Sequence, residues 1–131
     1  MKPLFLVKPV LALLVLGAAS LALNVSHAHG STTPKHGGIV QMVGETSFEL
    51  VAGADGAELY LVDDGEDLPS DGMTGKLTVV NGETRSEATL TPAGGNKLQA
   101  RGVKIASGSK VAVLVTLKDQ VSKRRASFSM P

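Results

Sequence analysis

From residue 36 to the C-terminus, hydrophobic and polar positions alternate with a period of two. The runs are short and are set apart by glycine, asparagine and aspartate. Successive side chains of a strand point to opposite faces, so this alternation predicts half-buried β-strands. Gly37-Gly38 opens the run 39–43. In 47–51, Phe48 and Leu50 share one face and Glu49 takes the other. Gly53-Ala54-Asp55-Gly56 is a turn signal, and in 57–62 Ala57, Leu59 and Leu61 alternate against Glu58, Tyr60 and Val62. These two runs predict a β-hairpin.

An acidic loop over 63–72 follows. The run 76–80 then turns Leu77 and Val79 inward, and Asn81-Gly82 signals a two-residue hairpin turn. Residues 85–91 answer it with Ala88 and Leu90, 97–101 add Leu98 and Ala100, and Val103 and Ile105 extend the apolar layer. The run 110–118 alternates Val111, Val113, Val115 and Leu117 against Ala112, Leu114 and Thr116, which predicts a central strand. The run 124–130 closes the pattern with Ala126, Phe128 and Met130. No window here carries a helical stripe. The prediction is an all-β domain over 38–131, a seven- to eight-stranded antiparallel sandwich, immunoglobulin-like or meander in order.

The first 37 residues break this rhythm. Residues 1–9 carry Lys2 and Lys8 and no acid, 10–25 are apolar, and Ser26-His27-Ala28 places small residues one and three before a cut. That order predicts a cleavable signal peptide over 1–28, helical while it lasts, with cleavage after Ala28 favoured over Ala22. The apolar run falls short of the roughly twenty residues of a membrane-spanning helix. The expected location is therefore periplasmic or secreted, with no stable membrane insertion after cleavage. Residues 29–37 read as a flexible, histidine-containing leader.

Composition narrows the function. Removing Lys2 and Lys8 from the 13 basic residues leaves 11 against 12 acids, about −1, so nucleic acid is not an expected partner. There is no cysteine, hence neither disulfide nor thiolate ligand. No serine sits in a G-x-S-x-G elbow or an S-x-x-K motif, and a non-enzymatic role is expected. The acids of 63–67 lack the spacing of a calcium loop and read as a solvated turn. Lys123-Arg124-Arg125 reads as a solvated edge.

The histidines carry the remaining chemistry. Cleavage after Ala28 makes His29 the first residue, so its α-amine and imidazole can chelate one ion, a geometry that suits copper(II). His36 follows within reach as a third nitrogen, and Met42 adds a soft thioether suited to copper(I). The candidate metal residues are therefore His29, His36 and Met42, for a copper- or zinc-type ion. No resident cofactor is required.

Two stretches also resemble a known module. Lys35-His36-Gly37-Gly38-Ile39-Val40, with Gly44 and Ser47-Phe48-Glu49-Leu50-Val51, is followed by Glu58-Leu59-Tyr60-Leu61-Val62-Asp63-Asp64-Gly65-Glu66-Asp67-Leu68-Pro69. Together they resemble the His-Gly-Gly β module at the front of periplasmic adaptor subunits of heavy-metal efflux pumps, which also occurs in short exported proteins. The resemblance covers residues 35 to about 118. It implies a periplasmic location, transition-metal association and His36 as a ligand, with an envelope protein or efflux-pump component as partner. The chain shows no coiled-coil hairpin of the kind an adaptor uses to bridge a pump and a channel, so an accessory role is expected. The alternative is a structural or interaction domain of the cell envelope with no metal role.

Overall fold

The alternating runs fold as nine antiparallel strands in the computed structural model, which describes residues 32–131. The expected signal peptide, its helix, the cut after Ala28 and His29 lie outside the described residues. The strands β1 (Ile39–Val43), β2 (Thr46–Gly53) and β3 (Gly56–Asp63) follow one another as neighbours, and the two-residue β4 (Glu66–Asp67) folds back on the end of β3. Next come β5 (Thr74–Asn81), β6 (Thr84–Pro92), β7 (Lys97–Arg101), β8 (Lys110–Thr116) and β9 (Lys123–Ser129). Hydrogen-bonded neighbours run β1-β2-β3-β7-β6-β5-β8-β9, so the order is not a simple meander: β3 pairs with β7 and β5 with β8. The end strands β1 and β9 pack beside each other, leaving one nearly closed sheet. The all-β, antiparallel expectation holds, and β8 lies between two partners as its strict alternation required. Among the described residues no helix is long and apolar enough to cross a membrane.

The interior is the inward face of that alternation. Phe48, Leu50, Leu59, Leu61, Leu77, Leu90, Leu98, Val111, Val113, Val115 and Phe128 are all buried. Burying a leucine, valine or phenylalanine side chain contributes roughly 1.5–3 kcal/mol. With no cysteine in the chain, this layer carries the stability. The spatial consequence for function is simple. Because Phe48, Leu50 and Leu59 point in, Glu49 and Tyr60 must point out, and the register sets those two directly opposite each other on β2 and β3.

Two turns differ from the sequence reading. Asn81 pairs with Thr84, so the β5–β6 loop is Gly82-Glu83, one residue later than expected. The stretch 63–72 is not loop throughout, because Asp63 pairs with Glu66 and Val62 with Asp67. Asp64 (φ 49°) and Gly65 (φ 78°) both take the left-handed conformation that a tight type I′ hairpin requires. Aspartate and glycine are among the few residues that adopt it at low cost. This hairpin supplies β4, which takes the count past the seven or eight strands expected, and it sets Asp64 and Asp67 beside the end of β3. Lys123-Arg124-Arg125 opens β9 at one end of the strand order, where basic residues suit an edge.

Candidate functional site

The outward face of β2 and β3 is crossed by the chain that leads into β1. Residues 35–38 form a strap over this face, and a single carboxylate holds it. Glu49 Oε1 accepts the main-chain N–H of Lys35 at 2.9 Å and lies 3.1 Å from the ring nitrogen Nδ1 of His36. Its Oε2 accepts the main-chain N–H of His36 at 2.7 Å and of Gly38 at 3.0 Å. The strap covers Glu49 so well that its side chain is only 6% exposed, against 40% for His36.

Each residue of His-Gly-Gly has a physical reason to be what it is. The His36 ring lies flat on Tyr60, with centroids 3.6 Å apart and planes 5° from parallel. Gly37 takes φ +73°, which turns the chain so that successive N–H groups face one carboxylate. Gly38 passes against β2, where a Cβ would collide with the Leu50 carbonyl oxygen. Tyr60 is anchored in turn, since its hydroxyl donates to Glu58 Oε2 at 2.8 Å, and Glu58 also faces Lys97 Nζ at 3.8 Å.

The charges follow from these contacts. Burial alone would push the Glu49 carboxyl up. The N–H groups of Lys35 and Gly38, the His36 ring and the His36 N–H together outweigh it and hold the carboxyl below its usual range. Tyr60 is pushed up to about 12 by burial, by its hydrogen bond to Glu58 and by the negative charges of Glu58 and Glu49. An ionised carboxylate can only accept hydrogen bonds. Nδ1 of His36 therefore carries the hydrogen shared with Glu49. In the neutral ring, the lone pair is left on Nε2.

Beside the strap lies a cleft of about 470 Å³. Thr33, Lys35 and His36 line it together with Asp64, Gly65 and Asp67 of the β3–β4 hairpin. Of the expected metal residues, the structure places His36 here. Met42 is half-buried on the same outward face but in the next row, opposite Ser47, and it does not line the cleft. His29 lies outside the described residues. Among the described residues, no group of three or more histidines, aspartates or glutamates is placed to hold a metal ion.

Sequence reasoning missed Glu49, Tyr60, Asp64 and Asp67 as parts of this site. The signal for the first two was present, because both belong to the same quoted motifs as His36. An acid between two core residues of a strand reads as ordinary solvated surface until a second chain segment covers it. No protein-family model matches the chain, and neither a curated protein nor a solved structure is significantly similar to it.

Proposed function

We propose that this chain is a non-enzymatic module of the cell envelope that captures a copper- or zinc-type ion through Nε2 of His36, as an accessory to metal homeostasis or efflux. One observation carries the reading. His36 donates from Nδ1 to a buried, ionised glutamate while its ring stays 40% exposed. Histidines that ligate metals nearly always donate their other ring N–H to a carboxylate or carbonyl, which fixes the tautomer and makes the ligating nitrogen more basic. Glu49 does this for His36, and the stack on Tyr60 fixes the ring plane.

The other ligands come from the leader. His29 stands four residues before Thr33, which lines the cleft. Four residues of extended chain reach at most about 14 Å, and in this reading that tether supplies the His29 imidazole and the α-amine freed by cleavage after Ala28. Nitrogen ligands of this kind suit copper(II) and zinc. Met42, on the same face one row away, does not line the cleft. A second reading is an envelope interaction domain with no metal. It is favoured by the same strap, because the contacts of Glu49 and Tyr60 with the histidine ring and its main chain are also what would hold a structural strap in place.

Titration of the mature protein, beginning at His29, with zinc and then copper separates the two. The metal reading expects the Nε2 resonance of His36 to move at equimolar metal, with Nδ1 still bonded to Glu49. Unchanged His36 resonances at equimolar metal would overturn it in favour of the interaction domain.

A further inference from the structure

We infer that the outward face of β5, β8 and β9 is a docking surface for a bilayer carrying anionic phospholipid, with the cleft shared by Arg85 and Lys110 as the seat of a headgroup phosphate. The inference is independent of the metal reading and concerns a different part of the sheet. It begins with how the charges are sorted along the chain. Between Lys35 and Lys76 there are nine acids and no lysine or arginine, whereas from Lys76 onward there are ten lysines and arginines and three acids. The fold sets β2, β3 and β4 together and β5, β8 and β9 together, so the near-neutral total hides two oppositely charged regions.

Alternation decides which cations reach the surface. Leu77, Val111 and Ala126 are buried, so their neighbours Lys76, Lys110 and Arg125 point outward, and Lys123 joins them one pleat beyond Arg125. Val80 pairs with Arg85 on one side and Lys110 on the other, which puts both cations in one row across the strands. Glu87 engages Lys76 and Arg85. Among the described residues, no acid forms an ion pair with Lys110, Lys123 or Arg125. Arg85 and Lys110 line a cleft of about 480 Å³ together with Gln41, Thr78, Ser127 and Ser129. All six side chains can donate hydrogen bonds, and none of the residues lining this cleft is acidic. The cleft beside the strap, by contrast, is lined by Glu49, Asp64 and Asp67.

The distribution favours an extended anionic surface over a single small anion. Neighbouring strands lie about 4.8 Å apart, so cations on three strands form a field with the donor-lined cleft at one end. Apolar side chains accompany it: Val80 is 37% exposed on the same face, and Val121 is 77% exposed in the turn between β8 and β9. Asp119 accepts the N–H groups of Val121 at 2.9 Å and Ser122 at 2.7 Å, which holds that turn in shape. Basic residues with apolar neighbours are the chemistry that adsorbs to anionic headgroups. The acidic region of β2–β4 is repelled by the same surface, so the two regions together orient the molecule.

The experiment is co-sedimentation of the mature protein with vesicles of phosphatidylglycerol and phosphatidylcholine in equal parts, beside vesicles of phosphatidylcholine alone. Binding is expected to the first and not the second, and to vanish in about 1 M salt, where the screening length is near 3 Å. Each basic residue near an anionic surface raises binding by about fivefold. Lys110→Gln with Arg125→Gln should therefore weaken it by about 25-fold. Arg101→Gln with Lys104→Gln removes the same charge from β7 and the segment after it, and should change binding by less than about twofold. All variants share one N-terminus, so any contribution of the leader cancels.

Absence of binding to the anionic vesicles would overturn the inference, as would equal losses in the two double variants, which would mean attraction by overall charge without a docking face. Displacement from vesicles by glycerol 3-phosphate at the lipid's own phosphate concentration would assign the cleft to a soluble phosphate ester instead. Self-association in low salt that Lys110→Gln with Arg125→Gln abolishes, without vesicle binding, would make the acidic region of a second copy the occupant.

Discussion

Glu49 on β2 and Glu87 on β6 occupy comparable positions in two regions of the sheet. Both point outward from a paired strand, and both carboxyls are held below the usual range. The causes are opposite in kind. Glu87 is exposed to solvent and is stabilised by a hydrogen bond from Arg85 at 3.2 Å and by Lys76 at 3.4 Å, an ordinary surface ion-pair cluster. Glu49 is buried under the strap and, among the described residues, forms no ion pair with a lysine or arginine side chain. Its partners are three main-chain N–H groups and an imidazole. Alternation places a glutamate outward in both regions. Only where a second segment crosses the face does that glutamate become part of a site, because water is then replaced by fixed donors.

The largest expected difference is in stability. Replacing Glu49 by alanine leaves three main-chain donors and the His36 ring without an acceptor. Hydrogen bonds to charged groups and the penalty for unmet buried donors each run to a few kcal/mol, but the strap can swing out and meet water. A net loss of about 2 to 3 kcal/mol follows. Glu87→Ala removes only screened surface pairs, so its unfolding midpoint in urea should match the wild type. Equal midpoints for the two variants would remove the distinction between the regions.

The second difference lies in how acid and salt act. A carboxyl whose folded value lies below its unfolded one stabilises the fold fully above the ordinary glutamate range. That contribution is lost only as the pH falls through the lower folded value. Both glutamates obey this sign, so strap docking should persist as the pH passes the ordinary glutamate range and fail only below it. Salt separates them. The Glu87 pairs face solvent and are screened, whereas Glu49 is depressed by short hydrogen bonds under cover. Carboxyl carbon titrations in low salt and in about 1 M salt, where the screening length is near 3 Å, should show Glu87 moving back toward its ordinary value. Glu49 should stay in place, and an equal movement of both would show that its donors are ordinary charges after all.

The parts of this contrast were unequally legible in the sequence. Period two alone puts Phe48, Leu50 and Leu59 inside and Glu49 and Tyr60 outside, and all five are found there. The pairing of β3 with β7 was not legible, since alternation gives each strand its faces but not its neighbour. The Asp64-Gly65 hairpin was legible in principle from its dipeptide, and was missed because a two-residue strand has no period to detect. His36 was recognisable by residue type. Its orienting carboxylate was not, because the contact depends on Gly37 taking a positive φ and on Gly38 fitting against the Leu50 carbonyl, a meeting of segments distant in sequence. The His-Gly-Gly and Phe-Glu-Leu motifs quoted separately thus turn out to be two sides of one clasp.

The smallest expected effect concerns the aromatic floor. Tyr60 is the only tyrosine and the chain has no tryptophan, so near-ultraviolet absorbance reports this one phenol. Its deprotonation should centre near 12 and shift back toward the ordinary value in Glu58→Gln, which removes one of the two negative charges and leaves only a neutral acceptor for the hydroxyl. A folded value above the unfolded one also fixes the alkaline behaviour: the stabilisation is complete below the ordinary tyrosine value and is lost as the pH rises toward 12. Tyr60→Phe keeps a ring beneath His36 and gives up the hydroxyl bond, at a cost of about 0.5–1.5 kcal/mol. Tyr60→Leu gives up the stack as well, for roughly a further 0.5–1.5 kcal/mol. The two differ in a way stability alone does not show. With phenylalanine the His36 ring protons should keep the upfield shift that a stacked neighbour imposes, and with leucine they should lose it. If leucine preserves that shift, the imidazole is held by Glu49 alone and Tyr60 contributes only its hydroxyl to Glu58.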